Sequence, residues 1–276
     1  MEFRTIVTTG RGGFEIEPLE EILFVGSCFA DSIGRRFAEE KFRAVVNPFG
    51  TMYNPASILH TVQRCDAAPR TAVFTLGTNH VYRLRETGEI VDNCEKRPAR
   101  LFQEEELSVE ECVGYLKQAI EVLRRRRAEV RVVITVSPIR YRKYGYHESQ
   151  LSKATLLLAA DRLCKTQESD KSGTTTQPSI VEYFPAYEIV LDELRDYRFY
   201  ADDMLHPSTQ TVEYIWQRFG DTYFSRRTHE FIKDWQPVKA ALGHRPFNPE
   251  SEEYRRFLAD AREREQQIIK KYQTPV

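Results

Sequence analysis

The sequence is poor in the features that mark membrane, secreted and nucleic-acid-binding proteins. No apolar run approaches the ~18 residues that cross a bilayer, and no secretory signal opens the chain, so we expect a cytoplasmic protein without a membrane partner. A formal net charge of −1 argues against a nucleic-acid partner. Five cysteines without paired spacing argue against a disulfide framework. The histidines show no ligand-spaced pair, so we expect no metal and no other cofactor.

What the sequence does contain is an alternation of short apolar runs with amphipathic helical patterns. The runs cover residues 22–25, 44–47, 71–76, 130–136 and 179–184. Each is almost continuously apolar, which is typical of strands buried on both faces of a parallel sheet. Residues 82–93 are predicted to form a projecting hairpin, and the polar residues 166–178 a mobile surface loop.

The 276 residues suit one large α/β domain with an extension. We assign residues 1–227 to the domain and 228–276 to a charged, helical C-terminal extension. A helix is predicted from Asn248-Pro249 toward Tyr272, with few apolar residues. Such a helix packs along the body or against another subunit, so we also expect that a homo-oligomer could form through it.

The stretch from Ile22 to Asp31 has the pattern of a buried strand, a tight turn and the start of a helix. Two nucleophilic side chains, Ser27 and Cys28, fall in the turn. In a parallel sheet, such a turn lies at the carboxyl ends of the strands, where backbone N–H groups of the helix N-terminus point outward. We therefore predict the catalytic centre at this turn.

Acyl transfer needs a base, a group that orients the base, and donors for the oxyanion. His206 is the candidate base, and Asp203 lies three residues before it, on the same side of a helical turn or compact loop. Gly50 and Asn79 are candidate oxyanion donors, together with the N–H of the nucleophile. Each of these residues also has a simpler interpretation: a helix cap, turn chemistry, or, for Cys28, a small buried apolar residue.

The sequence resembles the GSCFA-domain proteins, which are grouped with the SGNH (GDSL-like) hydrolases. The blocks that resemble the family span roughly residues 3–225. They are Gly26-Ser27-Cys28-Phe29-Ala30, Val46-Asn47-Pro48-Phe49-Gly50, Gly77-Thr78-Asn79-His80-Val81-Tyr82, Val136-Ser137-Pro138, Gln150-Leu151-Ser152-Lys153-Ala154 and Arg198-Phe199-Tyr200-Ala201-Asp202-Asp203-Met204-Leu205-His206-Pro207.

The resemblance implies a three-layer α/β/α sandwich with a flavodoxin-like parallel sheet and a serine-esterase-like site. Gly50, Asn79, Asp203 and His206 match the oxyanion and base positions of SGNH hydrolases. Gly77 and His80 flank Asn79 in the same block and are further oxyanion or substrate-binding candidates. The register of the first block places Cys28 on the nucleophile position, and Ser27 would need a shifted turn.

The sequence thus predicts an esterase that forms an acyl-enzyme on an ester of a small molecule or carbohydrate. Transfer of the acyl group to another acceptor, for example from a thioester donor, is an alternative use of the same site. A second alternative is a catalytically impaired binding or scaffold protein. It is motivated by the charged extension and by residues 65–70, where family members have a longer segment that includes His and Ser residues.

Overall fold

The apolar runs form a parallel five-stranded sheet in the computed structural model, which describes residues 4–92, 94, 97–169 and 180–273. In chain order the strands and helices are β1 (Glu21–Gly26), α1 (Cys28–Glu39), β2 (Arg43–Val46), α2 (Pro55–Arg64), β3 (Thr71–Leu76), β4 (His80–Leu84), β5 (Ile90–Val91), β6 (Phe102–Glu106), α3 (Val109–Arg126), β7 (Arg131–Val136), α4 (Tyr146–Ser169), β8 (Val181–Tyr183), α5 (Ala186–Glu188), α6 (Thr209–Tyr223), α7 (Arg226–Leu242) and α8 (Glu252–Gln273).

The central sheet has the strand order β2-β1-β3-β7-β8, and every neighbouring pair is parallel. Counting only these five strands along the chain, the order is 2-1-3-4-5, which confirms the flavodoxin-like prediction. The register sets Phe24 of β1 between Val46 of β2 and Val73 of β3. Because all five strands run the same way, the loops that follow them gather at one edge of the sheet.

Successive side chains of each central strand enter different cores, because they point to opposite faces of the sheet. Leu23 and Val25 of β1 belong to a core that is completed by side chains of α2, α3 and α4. Ile22 and Phe24 belong to a second core, completed by side chains of α1, α5 and α6. The sheet is therefore covered by helices on both sides, and the predicted three-layer sandwich is confirmed.

Helix starts follow the local chemistry of the sequence. The Asn54 side chain accepts the Ser57 N–H at 2.9 Å, with Pro55 as the first residue of α2. Ser108 and Glu111 form a capping box at the start of α3. Helix α4 begins at Tyr146 and extends to Ser169. It takes up the first part of the predicted loop 166–178, and residues 170–178 of that loop lie outside the described residues.

The predicted hairpin exists and belongs to a second, antiparallel sheet of order β5-β4-β6. Strand β6 was not predicted, because its sequence Phe102-Gln103-Glu104-Glu105-Glu106 has three acidic residues and little apolar character. Its pairing partner is β4, where His80 lies opposite Glu106 and Leu84 opposite Phe102. The polar strand is explained by this position beside the main sheet, where one face remains in solvent.

The C-terminal extension consists of α7 and α8, and Phe231, Trp235, Val238 and Tyr272 form a small core in it. Helix α7 was not singled out in the sequence. It joins the extension to the body, because the Trp235 indole N–H donates to the Glu39 carbonyl at 3.0 Å. The ion pair of Lys41 with Glu265 adds a contact from α8. The division at residue 227 and self-association through α8 stay predictions.

Across the described ranges, no helix is both long enough and apolar enough to cross a membrane.

Candidate active site

The turn between β1 and α1 depends on Gly26. Its φ of +144° disfavours any residue with a side chain, and a Cβ there would lie 2.2 Å from the Thr75 carbonyl oxygen of β3. The Gly26 N–H donates to the Asn47 side-chain oxygen at 2.9 Å. This close approach to β3 fixes the direction in which the chain leaves the sheet, and with it the orientation of Ser27 and Cys28.

Ser27 is the N-cap of α1 and is buried, with 1% of its surface exposed. Its Oγ accepts the Phe29 N–H at 3.2 Å and shares a hydrogen bond with Thr75 Oγ1 at 3.1 Å. The Ser27 hydroxyl is therefore engaged in the N-cap hydrogen bond of α1 and in a hydrogen bond to Thr75 of β3. A Ser at this position is among the preferred N-cap residues, so a structural role accounts for it.

Cys28 is the first residue of α1, and its half-buried side chain turns toward Tyr53. Its Sγ lies 3.4 Å from the Tyr53 hydroxyl oxygen. Burial and the neighbouring Cys28 raise the pKa of Tyr53, so this phenol keeps its proton and can donate it to sulfur. The Cys28 backbone N–H is one of the first donors of α1, which have no partner within the helix. The site at Cys28 thus offers two donors around one sulfur.

His206 and Asp203 form the predicted pair on the loop before α6. His206 Nδ1 lies 2.5 Å from Asp203 Oδ2. Asp203 Oδ1 accepts the backbone N–H groups of Leu205 at 2.8 Å and His206 at 2.9 Å. These hydrogen bonds, led by the His206 N–H, hold the pKa of Asp203 well below its usual range. An ionised carboxylate on Nδ1 favours the tautomer that leaves Nε2 as an acceptor.

Cys28 and His206 line the same cleft, with a volume of about 350 Å³. Tyr53 and Leu205 contribute to its wall, and the remainder comes from residues 139–143 of the loop between β7 and α4. The size lies at the lower end of small-molecule pockets. A thiol, an imidazole hydrogen-bonded to a carboxylate, and a cleft of small-molecule size therefore occur together at the carboxyl edge of the sheet.

The other four predicted site residues lie outside the lining of this cleft. The Gly50 N–H donates to the Asn47 carbonyl at 2.8 Å, closing a turn. The Gly77 N–H donates to the Tyr53 carbonyl at 2.9 Å. The buried Asn79 amide donates to the Leu107 carbonyl at 2.8 Å, and its Oδ1 has no partner among the described residues. His80 is buried and stacks on Tyr144 with 4.0 Å between ring centres.

Tyr53 and the loop residues 139–143 belong to the cleft although they were not predicted as site residues. Tyr53 directly precedes the helix-starting Asn54-Pro55, and nothing in the pattern marks it. The loop does carry a signal, because basic and aromatic residues alternate in Arg140-Tyr141-Arg142-Lys143-Tyr144. This alternation follows a predicted strand, at the edge of the sheet where sites form.

A larger cavity, about 1060 Å³, lies at the opposite edge of the sheet. Its lining includes Glu20, Arg43 and Arg70, each at or next to the start of a central strand. It contains no cysteine or histidine, and the described residues hold no group of three or more His, Cys, Asp or Glu that could bind a metal. The cleft at Cys28 is therefore the candidate active site.

Lys153 of α4 holds two strand ends together behind the site. Its Nζ donates to the carbonyl oxygens of Gly77 at 2.7 Å and Ser137 at 2.8 Å, the residues that directly follow β3 and β7. The residue is buried, and burial lowers the pKa of Lys153 to about 7. It thereby fixes the start of the loop that lines the cleft.

Lys153→Met is expected to change how stability depends on pH. The folded pKa of about 7 lies below the value for an unfolded lysine. The unfolded chain therefore binds more protons between these values, and the free energy of unfolding of the wild type gains up to about 1.4 kcal/mol per pH unit from this residue as pH rises above neutrality. Met binds no proton, so the variant lacks this slope. Urea unfolding of both proteins at neutral and alkaline pH measures it.

Lys117→Met, which changes an exposed lysine of α3, is the matched control and should keep the wild-type slope. Equal pH slopes for Lys153→Met and the wild type would contradict the prediction.

Two protein-family sequence models match the chain, and one of them includes the residues of the cleft described above. The sequence model of the GSCFA family matches residues 21–70 and 67–219, and that of the GSCFA domain protein, C-terminal domain, matches residues 235–274. The first match includes Cys28, Gly50, Asn79 and both members of the Asp203–His206 pair. No curated protein matches the chain.

Among solved structures, three esterases are similar at low identity. A mutant acetyl esterase with an acetate ion has 14% identity and a TM-score of 0.44, covering 78% of this chain and 99% of its own. A family 3 carbohydrate esterase from Talaromyces cellulolyticus has 12% identity and a TM-score of 0.41, with coverage of 78% and 99%. A mutant acetyl-xylooligosaccharide esterase from Geobacillus Stearmophilus has 13% identity and a TM-score of 0.43, with coverage of 75% and 95%.

Proposed function

The chain belongs to the GSCFA family, and on this premise we propose that it is an ester hydrolase that forms an acyl-enzyme on Cys28. The observation that carries the proposal is the shared cleft of Cys28 and His206, with Asp203 bound to the far side of the imidazole. The substrate class is an acyl ester of a small molecule or carbohydrate. The rings of Tyr53 and Tyr141, 6.1 Å apart, offer an aromatic wall for it.

Cys28 is proposed as the nucleophile rather than Ser27 for two reasons. Its side chain borders the cleft, whereas the Ser27 hydroxyl is buried and engaged with Phe29 and Thr75. A thiolate at a helix N-terminus also interacts favourably with the helix dipole, and a thiolate next to an imidazole is a competent nucleophile.

In the first half of the reaction, His206 Nε2 takes the proton of the Cys28 thiol. The thiolate attacks the carbonyl carbon of the ester, a carbon–sulfur bond forms, and a tetrahedral oxyanion results. When it collapses, the carbon–oxygen bond to the leaving alcohol breaks, and His206 returns the proton to that oxygen. Asp203 stabilises the imidazolium that exists in between and holds the ring in position.

In the second half, His206 takes a proton from water, and the resulting hydroxide attacks the thioester carbon. The carbon–sulfur bond breaks, the carboxylic acid leaves, and the proton returns to Cys28. Transfer to an alcohol acceptor in place of water gives the acyltransferase alternative with the same residues.

The proposed oxyanion donors are the Cys28 backbone N–H and the Tyr53 hydroxyl. Once sulfur is bound to carbon it no longer needs the Tyr53 proton, which can then be donated to the oxyanion beside it. The Gly50 N–H could donate to the oxyanion only after its hydrogen bond to the Asn47 carbonyl had broken. Asn79 has a second N–H besides the one that Leu107 accepts, so this side chain stays a candidate after a local movement.

A binding protein of the same fold is the second candidate, and one observation favours it: the Gly50 and Asn79 donors are directed to protein carbonyls. The short segment 65–70 gives it no support, because it precedes β3 and lies at the amino edge of the sheet, away from Cys28.

Trapping the acyl-enzyme tests the proposal. The protein is mixed with p-nitrophenyl acetate, quenched in acid and weighed as an intact chain by mass spectrometry. We expect a mass increase of one acetyl group that maps to Cys28 and is removed by neutral hydroxylamine, which cleaves thioesters faster than oxygen esters. An adduct on Ser27 would reverse the nucleophile assignment. No adduct and no hydrolysis above buffer would favour the binding protein.

A further inference from the structure

The wall of the cleft that faces Cys28 and His206 is strongly basic. Arg140, Arg142 and Lys143 lie in one run of five residues that line the cleft, and the lining contains no carboxylate. This charge is local, because the whole chain has a formal net charge of −1. A concentration of one charge sign in a small cleft raises the local concentration of ligands of the opposite sign.

Arg140 is held in place without a carboxylate. Its Nη1 donates to the Met204 carbonyl at 3.0 Å, and its backbone N–H donates to the Leu205 carbonyl at 3.0 Å. The guanidinium lies over the ring of Tyr146 at 4.5 Å. These contacts tie the basic loop to the loop that carries Asp203 and His206, and they leave the charge of Arg140 unneutralised by any acidic side chain within the described residues.

Arg142 is exposed and forms no ion pair with an acidic side chain in the part of the chain that the structure describes. Lys143 differs, because its Nζ lies 3.5 Å from Glu104 and donates to the Tyr144 hydroxyl at 2.8 Å. Arg142 is therefore the cation best placed to bind a ligand, because within the described residues its guanidinium has neither an ion pair, as Lys143 has, nor a hydrogen bond to a protein carbonyl, as Arg140 has. A guanidinium also matches the geometry of carboxylate and phosphate groups through paired N–H donors.

The carboxylates nearest to the catalytic residues are already engaged. Asp203 is bound to His206. Asp31, one helical turn after Cys28, accepts the Asn47 amide at 2.8 Å and the Thr51 hydroxyl at 3.1 Å. Among the described residues, neither Asp203 nor Asp31 forms an ion pair with Arg140, Arg142 or Lys143.

We propose that the cleft takes acyl compounds with an anionic group, a carboxylate or a phosphate, which Arg142 binds together with Arg140 while the acyl carbon lies against Cys28 Sγ. A preference for anionic esters in hydrolysis rests on the proposed function. A preference for anionic compounds at the Cys28 sulfur can be tested without any ester.

The test compares alkylation of Cys28 by two reagents of similar size, the anionic iodoacetate and the neutral iodoacetamide. Rates are followed by mass spectrometry of the peptide that contains Cys28, and each rate is divided by that of glutathione with the same reagent. We expect the iodoacetate rate, so normalised, to exceed the iodoacetamide rate by about 10-fold. Added benzoate or inorganic phosphate should slow the iodoacetate reaction.

Arg142→Gln removes the charge and keeps a polar side chain of similar length. We expect it to lower the normalised ratio of iodoacetate to iodoacetamide rates by about 10-fold, with little change in the iodoacetamide rate. The matched control is Arg125→Gln, an exposed arginine in the last turn of α3 at the opposite edge of the sheet, which should keep the wild-type ratio. A ratio near one in the wild type, or equal ratios in both variants, would overturn the proposal.

Three aryl acetate esters that differ in charge extend the test to catalysis. Methyl 4-acetoxybenzoate is neutral, 4-acetoxybenzoate carries a carboxylate, and 4-acetoxyphenyl phosphate carries a phosphate. Each enzymatic rate is divided by the hydroxide-catalysed rate of the same ester, which corrects for the leaving group. A higher relative kcat/KM for one anionic ester that is lost in Arg142→Gln identifies that anion as the group bound.

The two proposals can fail separately. Hydrolysis of the neutral ester with equal relative rates for the anionic esters supports the esterase and overturns anion recognition. Absence of hydrolysis together with an iodoacetate preference that depends on Arg142 overturns the esterase and supports an anion-binding cleft.

Discussion

Cys28→Ala is expected to lower kcat/KM for p-nitrophenyl acetate by about 10⁴-fold, because the substitution removes the only atom that can form the proposed acyl-enzyme. The fold should change little, since Ala is a good helix former and the half-exposed thiol contributes a single contact to Tyr53. Initial rates, together with thermal unfolding to confirm a folded protein, measure the effect.

Two matched variants control this prediction. Cys94→Ala removes another half-buried cysteine, after β5, and should keep wild-type activity. Ser27→Ala removes the cap of α1 and should lower the free energy of unfolding by about 1 kcal/mol while most activity is kept. Loss of activity in Ser27→Ala with retention in Cys28→Ala would assign the nucleophile to Ser27.

His206→Ala is expected to lower kcat by about 10³-fold, because it removes the imidazole that in the proposed mechanism takes the thiol proton and returns it to the leaving alcohol. Asp203→Asn should show a smaller loss, since its side-chain oxygen can still accept the Leu205 and His206 N–H groups. Its amide nitrogen would face His206 Nδ1 and favour the wrong tautomer. Single-turnover rates separate this effect from product release.

The low pKa of Asp203 means that its carboxylate is ionised throughout the pH range of these measurements. Hydrogen bonds from the His206 and Leu205 N–H groups favour the carboxylate, so Asp203 stays ionised at every pH above about 4. Its contribution to stability is present above the unfolded pKa and is lost only when pH falls through the lower folded value.

His206→Gln, with an amide in place of the imidazole, is the conservative control for His206→Ala. Activity near the wild type in His206→Gln would contradict a role as base.

The sheet and the hydrogen-bonded pair of Asp203 and His206 could be predicted because their signals are local. Continuous apolar runs indicate buried parallel strands whatever the rest of the chain does, and a three-residue spacing brings Asp203 and His206 together within one loop. The helix caps at Asn54 and Ser108 depend on neighbours within three residues in the same way. In each case the residues that decide the structure are close in sequence.

The choice between Ser27 and Cys28 depends on a distant strand, and so the sequence left it open. The positive φ of Gly26 and the approach of Thr75 determine which side chain becomes the cap and which one faces the cleft. The oxyanion donors were hard to predict for the same reason. Whether the Asn79 amide is free depends on the Leu107 carbonyl, which β6 brings next to it, and β6 itself gave no apolar pattern.

The distance along the chain between Cys28 and His206 has a consequence during protein synthesis. The Cys28 turn leaves the ribosome early, whereas His206 follows after α1 to α5 and the whole central sheet have been made. At typical elongation rates this interval lasts roughly 10–40 s. In the proposed mechanism, the Cys28 thiol therefore has no base beside it until the last strand of the sheet and the loop before α6 have folded. Reactivity at Cys28 that depends on His206 would therefore report assembly of the cleft, and pulse alkylation of ribosome-bound chains would show when it forms.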